Sequence, residues 1–384
     1  MEKKRYLLYF SVLFLAFFAG GLFFAGNLVS IAAKNKLENF FKGSVVHIGS
    51  CEVSPLSAIT IRDLKVKRKD IYSITVEEAV VEYSIGGIAR GRLNKARLAG
   101  IDIRVNAPKV KTAKLTELIE ISGGGRIALR TAEASDVKLK VKTAEADIEG
   151  TGAVSFSPME GTFNTVDVVL NRAEIMGAAF RDVRIKGDNL SGGGEGEVSA
   201  ESVKYNKVEL KAVKGVLRAD GNEAGAGDFS SKLFDGAAEG TLDFRMGGDW
   251  DFSAQVGFVG IDLEAVVRDL ELEEKFQLTG RLSGGLSIKG KGFRLTDVKG
   301  ELEAVPGGGV LVIKDDSFLE RISGQSGQAM DIAAESLKNY VYRTGKAEVS
   351  LEDEDLILGV DMEGDSGKRV FDIVLHDIIQ VKGR

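Results

Sequence analysis

Apolar residues fall at every second position through most of this chain, and few architectures can accommodate so many such runs. Ile59 and Ile61, Leu64 and Val66, and Ile74 and Val76 alternate with polar residues; Ala79, Val81 and Tyr83 and then Ile101, Ile103 and Val105 follow. Val137, Leu139 and Val141 interleave with Lys138, Lys140 and Lys142. The pattern repeats at Val166, Val168 and Leu170, at Val208 and Leu210, and at Phe252, Ala254, Val256 and Phe258. It resumes at Leu286 and Ile288 and closes in three runs, the last being Phe371, Ile373 and Leu375. A period of two puts each set on one face of a strand. Gly192-Gly193-Gly194, Asp220-Gly221 and Gly247-Gly248-Asp249 fall between runs as turns. Counting the runs predicts roughly 20 or more strands.

Helical periodicity is scarce outside the N-terminus. Lys34 to Lys42 reads as helix, ended by Gly43, with Leu37, Phe40 and Phe41 on one side. A short turn of helix is expected over Thr112 to Ile121. Asp262 can cap a helix carrying Leu263, Val266, Val267 and Leu270 at i, i+3, i+4 and i+7. Ser317 with Glu320 forms a capping box, and Met330, Ala333, Ala334 and Leu337 mark one more amphipathic helix. So few helices cannot roof so many half-apolar strands. A sandwich, a coiled sheet or an open trough remains. A trough leaves apolar surface facing its lumen, which water penalises at about 25 cal/mol per Å². Acyl chains in the lumen would lift that penalty.

Tyr6 to Ala33 is uncharged and largely apolar. A spanning helix needs about 20 such residues. Lys3, Lys4 and Arg5 precede the stretch against Glu2 alone, which holds the N-terminus in the cytoplasm and places the bulk of the chain across the membrane. Tyr6, Leu15, Phe18, Phe24 and Leu28 are among the expected anchor residues. The rival is a cleaved signal peptide, with Ala19-Gly20-Gly21 as cleavage site; Leu22, Phe23, Phe24 and Leu28 carry the hydrophobicity past it, which favours a retained anchor.

Net charge is -6, which argues against a general nucleic-acid partner. Locally the sign reverses: Arg62 to Glu117 holds 13 Lys/Arg against 7 Asp/Glu. Beside an anchor, such a region can attract anionic head groups; it reads equally well as a solvated strand face whose lysines deter edge pairing. Enzyme readings find little support. The two histidines, His47 and His376, lie near opposite ends of the chain, and no nucleophile–base grouping or clustered zinc ligands can be proposed. Glu352-Asp353-Glu354-Asp355 lacks the spacing of a calcium loop and reads as an acidic turn. The triple glycines at 123, 192 and 307 open no helix after a strand, so they read as turns and not phosphate cradles. Cys51 is the single cysteine and cannot form an internal disulfide. No catalytic residue, metal or cofactor is expected.

Residues 40–105 resemble the N-terminal block of AsmA-like proteins. The likeness rests on the Ser54-Pro55 turn, I-R-D-L-K-V at 61–66, V-E-Y-S at 81–84 and L-A-G-I-D-I at 98–103. G-R-L-S-G-G-L-S-I-K-G at 280–290 resembles a strand pair of the same superfamily. The end, from Pro306-Gly307-Gly308 through Leu337-Lys338-Asn339-Tyr340, is similar to the YdbH-type, so-called dicarboxylate transport, domain. The middle, about 120–250, matches in rhythm alone.

The resemblance implies a bacterial inner-membrane protein, single-pass, whose periplasmic β-groove carries phospholipid or another acyl lipid toward the outer membrane, with envelope proteins as possible partners. The expected fold is mostly β: an N-terminal transmembrane helix, then a long, twisted, groove-like β-sheet with a few amphipathic helices. Its segments are a cytoplasmic tip (1–5), an anchor (6–33), an AsmA-like membrane-proximal block (34–120), β-groove repeats (121–258) and a C-terminal AsmA/YdbH-like β domain (259–384). The lipid-facing candidates are Val137, Leu139, Val141, Val166, Val168, Leu170, Val208, Leu210, Phe252, Ala254, Val256 and Phe258. The alternative is a structural or regulatory envelope protein with a closed, dry core that acts through protein partners. An exported glycan enzyme has only the β-rich architecture in its favour.

Overall fold

The alternation becomes 21 strands in the described residues. The computed structural model describes residues 30–39, 41, 43–54, 57–110, 128–157, 162–175, 177–190, 192–220, 223–245, 251–291, 294–314, 339–353 and 355–375. Most of the expected anchor lies outside them, including Tyr6, Leu15, Phe18, Phe24 and Leu28. So do the helical turn at 112–121, the helices at 317–320 and 330–337, the turn at 247–249 and His376. Among the described residues no helix is long and apolar enough to cross a membrane.

Two compact units divide the chain, one comprising Met1–Ile175 with Ile185–Gly192 and the other Met176–Arg184 with Gly193–Arg384. In the first, residues 30–39 form helix α1. β1 (Val45–His47) and β2 (Ser50–Ser54) both pair antiparallel with β3 (Ala58–Arg68), one at each end of it. β3 pairs with β4 (Tyr72–Glu82), and β4 with β5 (Arg92–Ala107) after a four-residue helix, α2 (Ile85–Ile88). β6 (Ala128–Thr143) then runs parallel to β5, with Arg92 opposite Ala128 and Ala107 opposite Thr143. β7 (Ala146–Ser157) and β8 (Thr162–Ile175) follow as antiparallel neighbours.

Left-handed backbone interrupts this regularity at three neighbouring places. Asp63, Gly100 and Asp136 take φ of 52°, 62° and 51° on β3, β5 and β6. At Asp136 the register with β7 shifts between Ala134 and Val137. Aspartate tolerates this region better than most side chains, and such bulges increase local twist.

The second unit contains most of β9 (Ala178–Asp188), then β10 (Gly192–Tyr205), β11 (Val208–Asp220), β12 (Glu223–Leu233), β13 (Gly236–Arg245) and β14 (Asp251–Asp262). From β11 to β14 each strand pairs antiparallel with the next. Helix α3 (Leu263–Asp269) and β15 (Phe276–Leu278) separate β14 from its sheet neighbour β16 (Arg281–Lys291). β16 pairs with β17 (Arg294–Ala304). β17 and the short β18 (Gly309–Ile313) both pair with β19 (Tyr340–Glu352). β20 (Asp355–Gly364) and β21 (Gly367–Leu375) complete the unit as a meander.

The helix expected from the Asp262 cap forms where its sequence places it. Asp262 Oδ1 accepts hydrogen bonds from the backbone N–H of Glu264 at 2.9 Å and of Ala265 at 3.2 Å. The buried residues are Leu263, Ala265 and Val267, while Val266 and Leu270 are half-buried, so small Ala265 faces the sheet in place of part of the expected stripe. Replacing an N-cap aspartate by alanine costs about 1 kcal/mol. Asp262→Ala is therefore expected to speed amide exchange over Leu263–Asp269 roughly fivefold where local opening limits it, as hydrogen–deuterium exchange would read.

Candidate functional site

Residues directly opposite one another on neighbouring strands share a face of the sheet. In the first unit the register lines up apolar side chains in long rows on one face. One row reads Val66, Ile74, Ile103, Leu139, Gly150 and Leu170 across β3 to β8. A second joins Val137, Gly152 and Val168, and a third Tyr72, Val105, Val141 and Ile148. Six sequence-derived candidates thus come together here: Val137, Leu139 and Val141 on β6 and Val166, Val168 and Leu170 on β8.

Burial along this face is uneven. Val46 and Val66 are nearly inaccessible at 1% and 2%, and Leu37 and Phe41 pack against their cluster. Val76, Ala79 and Ile101 are also buried. Across β6 to β8, by contrast, Val137, Leu139, Val141, Val166, Val168 and Leu170 are only half-buried. A closed sandwich core would bring such residues close to full burial. The intervening residues of β6, Lys138, Lys140 and Lys142, are exposed on the other face, with Lys140 Nζ 3.4 Å from Glu149 Oε2.

Glycine occupies some apolar positions of the rows. A Cβ on Gly150 would sit 2.7 Å from Leu170 Cδ2 and 2.6 Å from the Val169 carbonyl oxygen; one on Gly152 would sit 3.0 Å from Val168 Cγ2. The leucine and valine of β8 therefore lean over the bare backbone of β7. Glycine between bulky neighbours keeps the face low without breaking its apolar character.

The second unit repeats the arrangement. Ala226, Leu242, Ala254, Ile288 and Val298 make one row. Phe229, Gly240, Val256, Leu286, Gly300, Val349, Leu358 and Ile373 make another. Phe258 lies between Ala238 and Gly284, and Phe252 between Phe244 and Gly290. The Phe244 and Phe252 rings are 6.3 Å apart, within the range of a favourable aromatic pair. Ala254 is buried and Phe252 half-buried. Val256, Phe258 and Leu210 pack against the cluster of Leu233, Ala238 and Ile261, with Val266 of α3 on the same cluster. Val208 behaves differently: at 39% exposure it joins no buried cluster of the described residues.

The periodicity places the candidates on strands, and other residues of the same phase stand beside them. In the first unit Val66, Ile74 and Ile103 of β3 to β5 share a row with Leu139, and in the second Leu286, Val349, Leu358 and Ile373 share one with Val256; their alternation is equally plain in the sequence. The glycines were the harder part. Gly150 and Gly152 stand in the apolar phase between Ile148 and Val154, a phase that could have identified them.

Shifted titrations in the described residues accompany packing and ion pairs. Burial pushes the Tyr342 hydroxyl up to about 12, and that hydroxyl donates to the Thr279 carbonyl oxygen at 2.6 Å. Burial, then Glu52, raises the Cys51 thiol, the opposite of what activates a nucleophile. The hydrogen bonds from Arg104 hold the Asp102 carboxyl below its usual range. His47 sits on β1 opposite Lys65.

A family model described as YdbH-like, intermembrane phospholipid transport protein YdbH, matches residues 57–370. No curated protein and no solved structure matches the chain.

Proposed function

This chain belongs to the YdbH-like family of intermembrane phospholipid transport proteins, and from that premise we propose that its apolar rows bind phospholipid acyl chains during transfer between the inner and outer membranes. Residues 6–33 anchor the protein in the inner membrane, and the strands work in the periplasm. The observation that carries this reading is the half-buried apolar face of β6 to β8, which water would otherwise wet. Covering what remains exposed of such a leucine or valine is worth about 0.5 kcal/mol, since full burial of the side chain gives about 1.5–3 kcal/mol. Acyl chains gain this over many residues at once, while no single position holds them tightly. Weak, repeated contacts suit movement along a track.

The reading requires no covalent step, cofactor or metal, and the family is one of lipid transport and not of catalysts. Val137, Leu139, Val141, Val166, Val168 and Leu170 line the lipid path in the first unit; Phe252, Val256 and Phe258 do so in the second. The assignment of 34–120 as membrane-proximal block, 121–258 as groove and 259–384 as C-terminal domain belongs to the same proposal.

A photoreactive phenylalanine analogue at each residue from 137 to 142 tests it. Crosslinks to phospholipid are expected at 137, 139 and 141 and not at 138, 140 and 142. Uniform labelling, or none in cells with active lipid exchange, would remove the basis for the proposal and leave a dry structural protein as the better account.

A further inference from the structure

Beyond the apolar rows, one line of side chains on the opposite face of the first unit has a composition that packing does not explain. Val45, Lys67, Ser73, Arg104 and Lys140 stand opposite one another across β1, β3, β4, β5 and β6. Val45 is 71% exposed although its neighbour Val46 is fully buried. The Arg104 and Lys140 side chains are 69% and 61% exposed. An aliphatic residue presented to solvent in line with three cations is what a membrane interface accommodates, because the valine enters the head-group region and the cations meet lipid phosphates.

The position of this line fits such a partner. Leu37 of α1 packs against the cluster of Val46 and Val66, which puts α1 at the strand ends that carry Val45 and Lys67, on the reverse face of the sheet. Leu37 stands four positions along the helix from Ala33, a rise of about 6 Å, which is shorter than the Debye length of about 8 Å at physiological salt. Ile31 on the same helix is 59% exposed. Acidic side chains temper the charge without cancelling it: Asp102 is 2.6 Å from Arg104 and Glu149 is 3.4 Å from Lys140, while Lys67 makes no ion pair within 4 Å in the described residues.

We propose that the row of Val45, Lys67, Arg104 and Lys140 docks the first unit on the anionic surface of the membrane from which the chain emerges. The proposal rests on the reading of residues 6–33 as a membrane anchor.

The test uses the full chain reconstituted in nanodiscs, with Val45→Cys in a Cys51→Ser background carrying a bimane label. The quencher is a spin-labelled lipid head group. Quenching is expected in discs of phosphatidylcholine mixed with phosphatidylglycerol, and it should weaken in phosphatidylcholine alone or in high salt. Each basic residue close to an anionic surface is worth about fivefold in the docked-to-free ratio, so Lys67→Glu, Arg104→Glu and Lys140→Glu together should lower that ratio by on the order of 100-fold or more. The Lys67→Gln, Lys140→Gln pair, which leaves the Arg104–Asp102 bridge intact, should lower it by roughly 25-fold with an unchanged circular dichroism spectrum. Quenching that is the same in both lipids and indifferent to salt would overturn the docking proposal while leaving the anchor in place. A chain that fails to co-sediment with discs at high salt would overturn both.

Discussion

Leu139→Asp combined with Val168→Asp is expected to leave the protein folded and to lower co-purifying phospholipid by about tenfold or more. The two residues lie on adjacent rows of one face, Leu139 opposite Gly150 and Val168 opposite Gly152. Both are half-buried, so each carboxylate can reach water, and the native sheet avoids the several kcal/mol that a fully enclosed, unpaired charge would cost. The same charges placed along a bound acyl chain have no such outlet. Mass spectrometry of lipid extracted from the purified variant, alongside its melting curve, separates the two possibilities. Loss of the folded state together with the lipid would mean that this face is sealed in a dry core, and transfer along it would have to be abandoned.

The largest loss of stability is expected from Tyr340→Ala. Tyr340 is fully buried, and Leu311, Ile313, Tyr342 and Met362 share its cluster. Its hydroxyl donates to the Gly367 carbonyl oxygen at 2.5 Å, and the Arg369 guanidinium lies 5.4 Å from the ring centre. Truncating an aromatic side chain to alanine in such a site costs about 3–5 kcal/mol. Tyr340→Phe removes only the hydroxyl and should cost about 0.5–1.5 kcal/mol, the net worth of a hydrogen bond whose acceptor on exposed Gly367 can turn to water. Limited proteolysis should find β18 to β21 cut readily in the alanine variant and slowly in the phenylalanine one. Equal resistance in both would mean that this cluster does not hold the C-terminal strands.

Much of this arrangement could be read from the residues. Strands at Ala58–Arg68, Ala128–Thr143 and Asp251–Asp262 follow directly from a period of two, because alternation is a local property of the chain. The α3 cap at Asp262 is local as well. The parallel pairing of β5 with β6 was not legible: nothing in Arg92–Ala107 or Ala128–Thr143 states whether a strand meets its neighbour head to head or head to tail. That choice depends on the path of the chain between them. Register was similarly hidden. Leu139, Gly150 and Leu170 become neighbours only once the bulge at Asp136 has shifted β6 by one position, and a single left-handed aspartate leaves a faint mark in sequence. Half-burial, the property on which the site depends, belongs to the assembled sheet and to no strand alone.

The succession of hairpins from β11 to β14 has an evolutionary corollary. Adding or deleting one hairpin changes the sheet by two strands, which restores both chain direction and facing, so every later side chain keeps its side. Each such event changes the span of the sheet by about 10 Å, twice the interstrand spacing. Such a sheet can therefore gain or lose whole ribbon pairs without redesign of the surfaces on either flank.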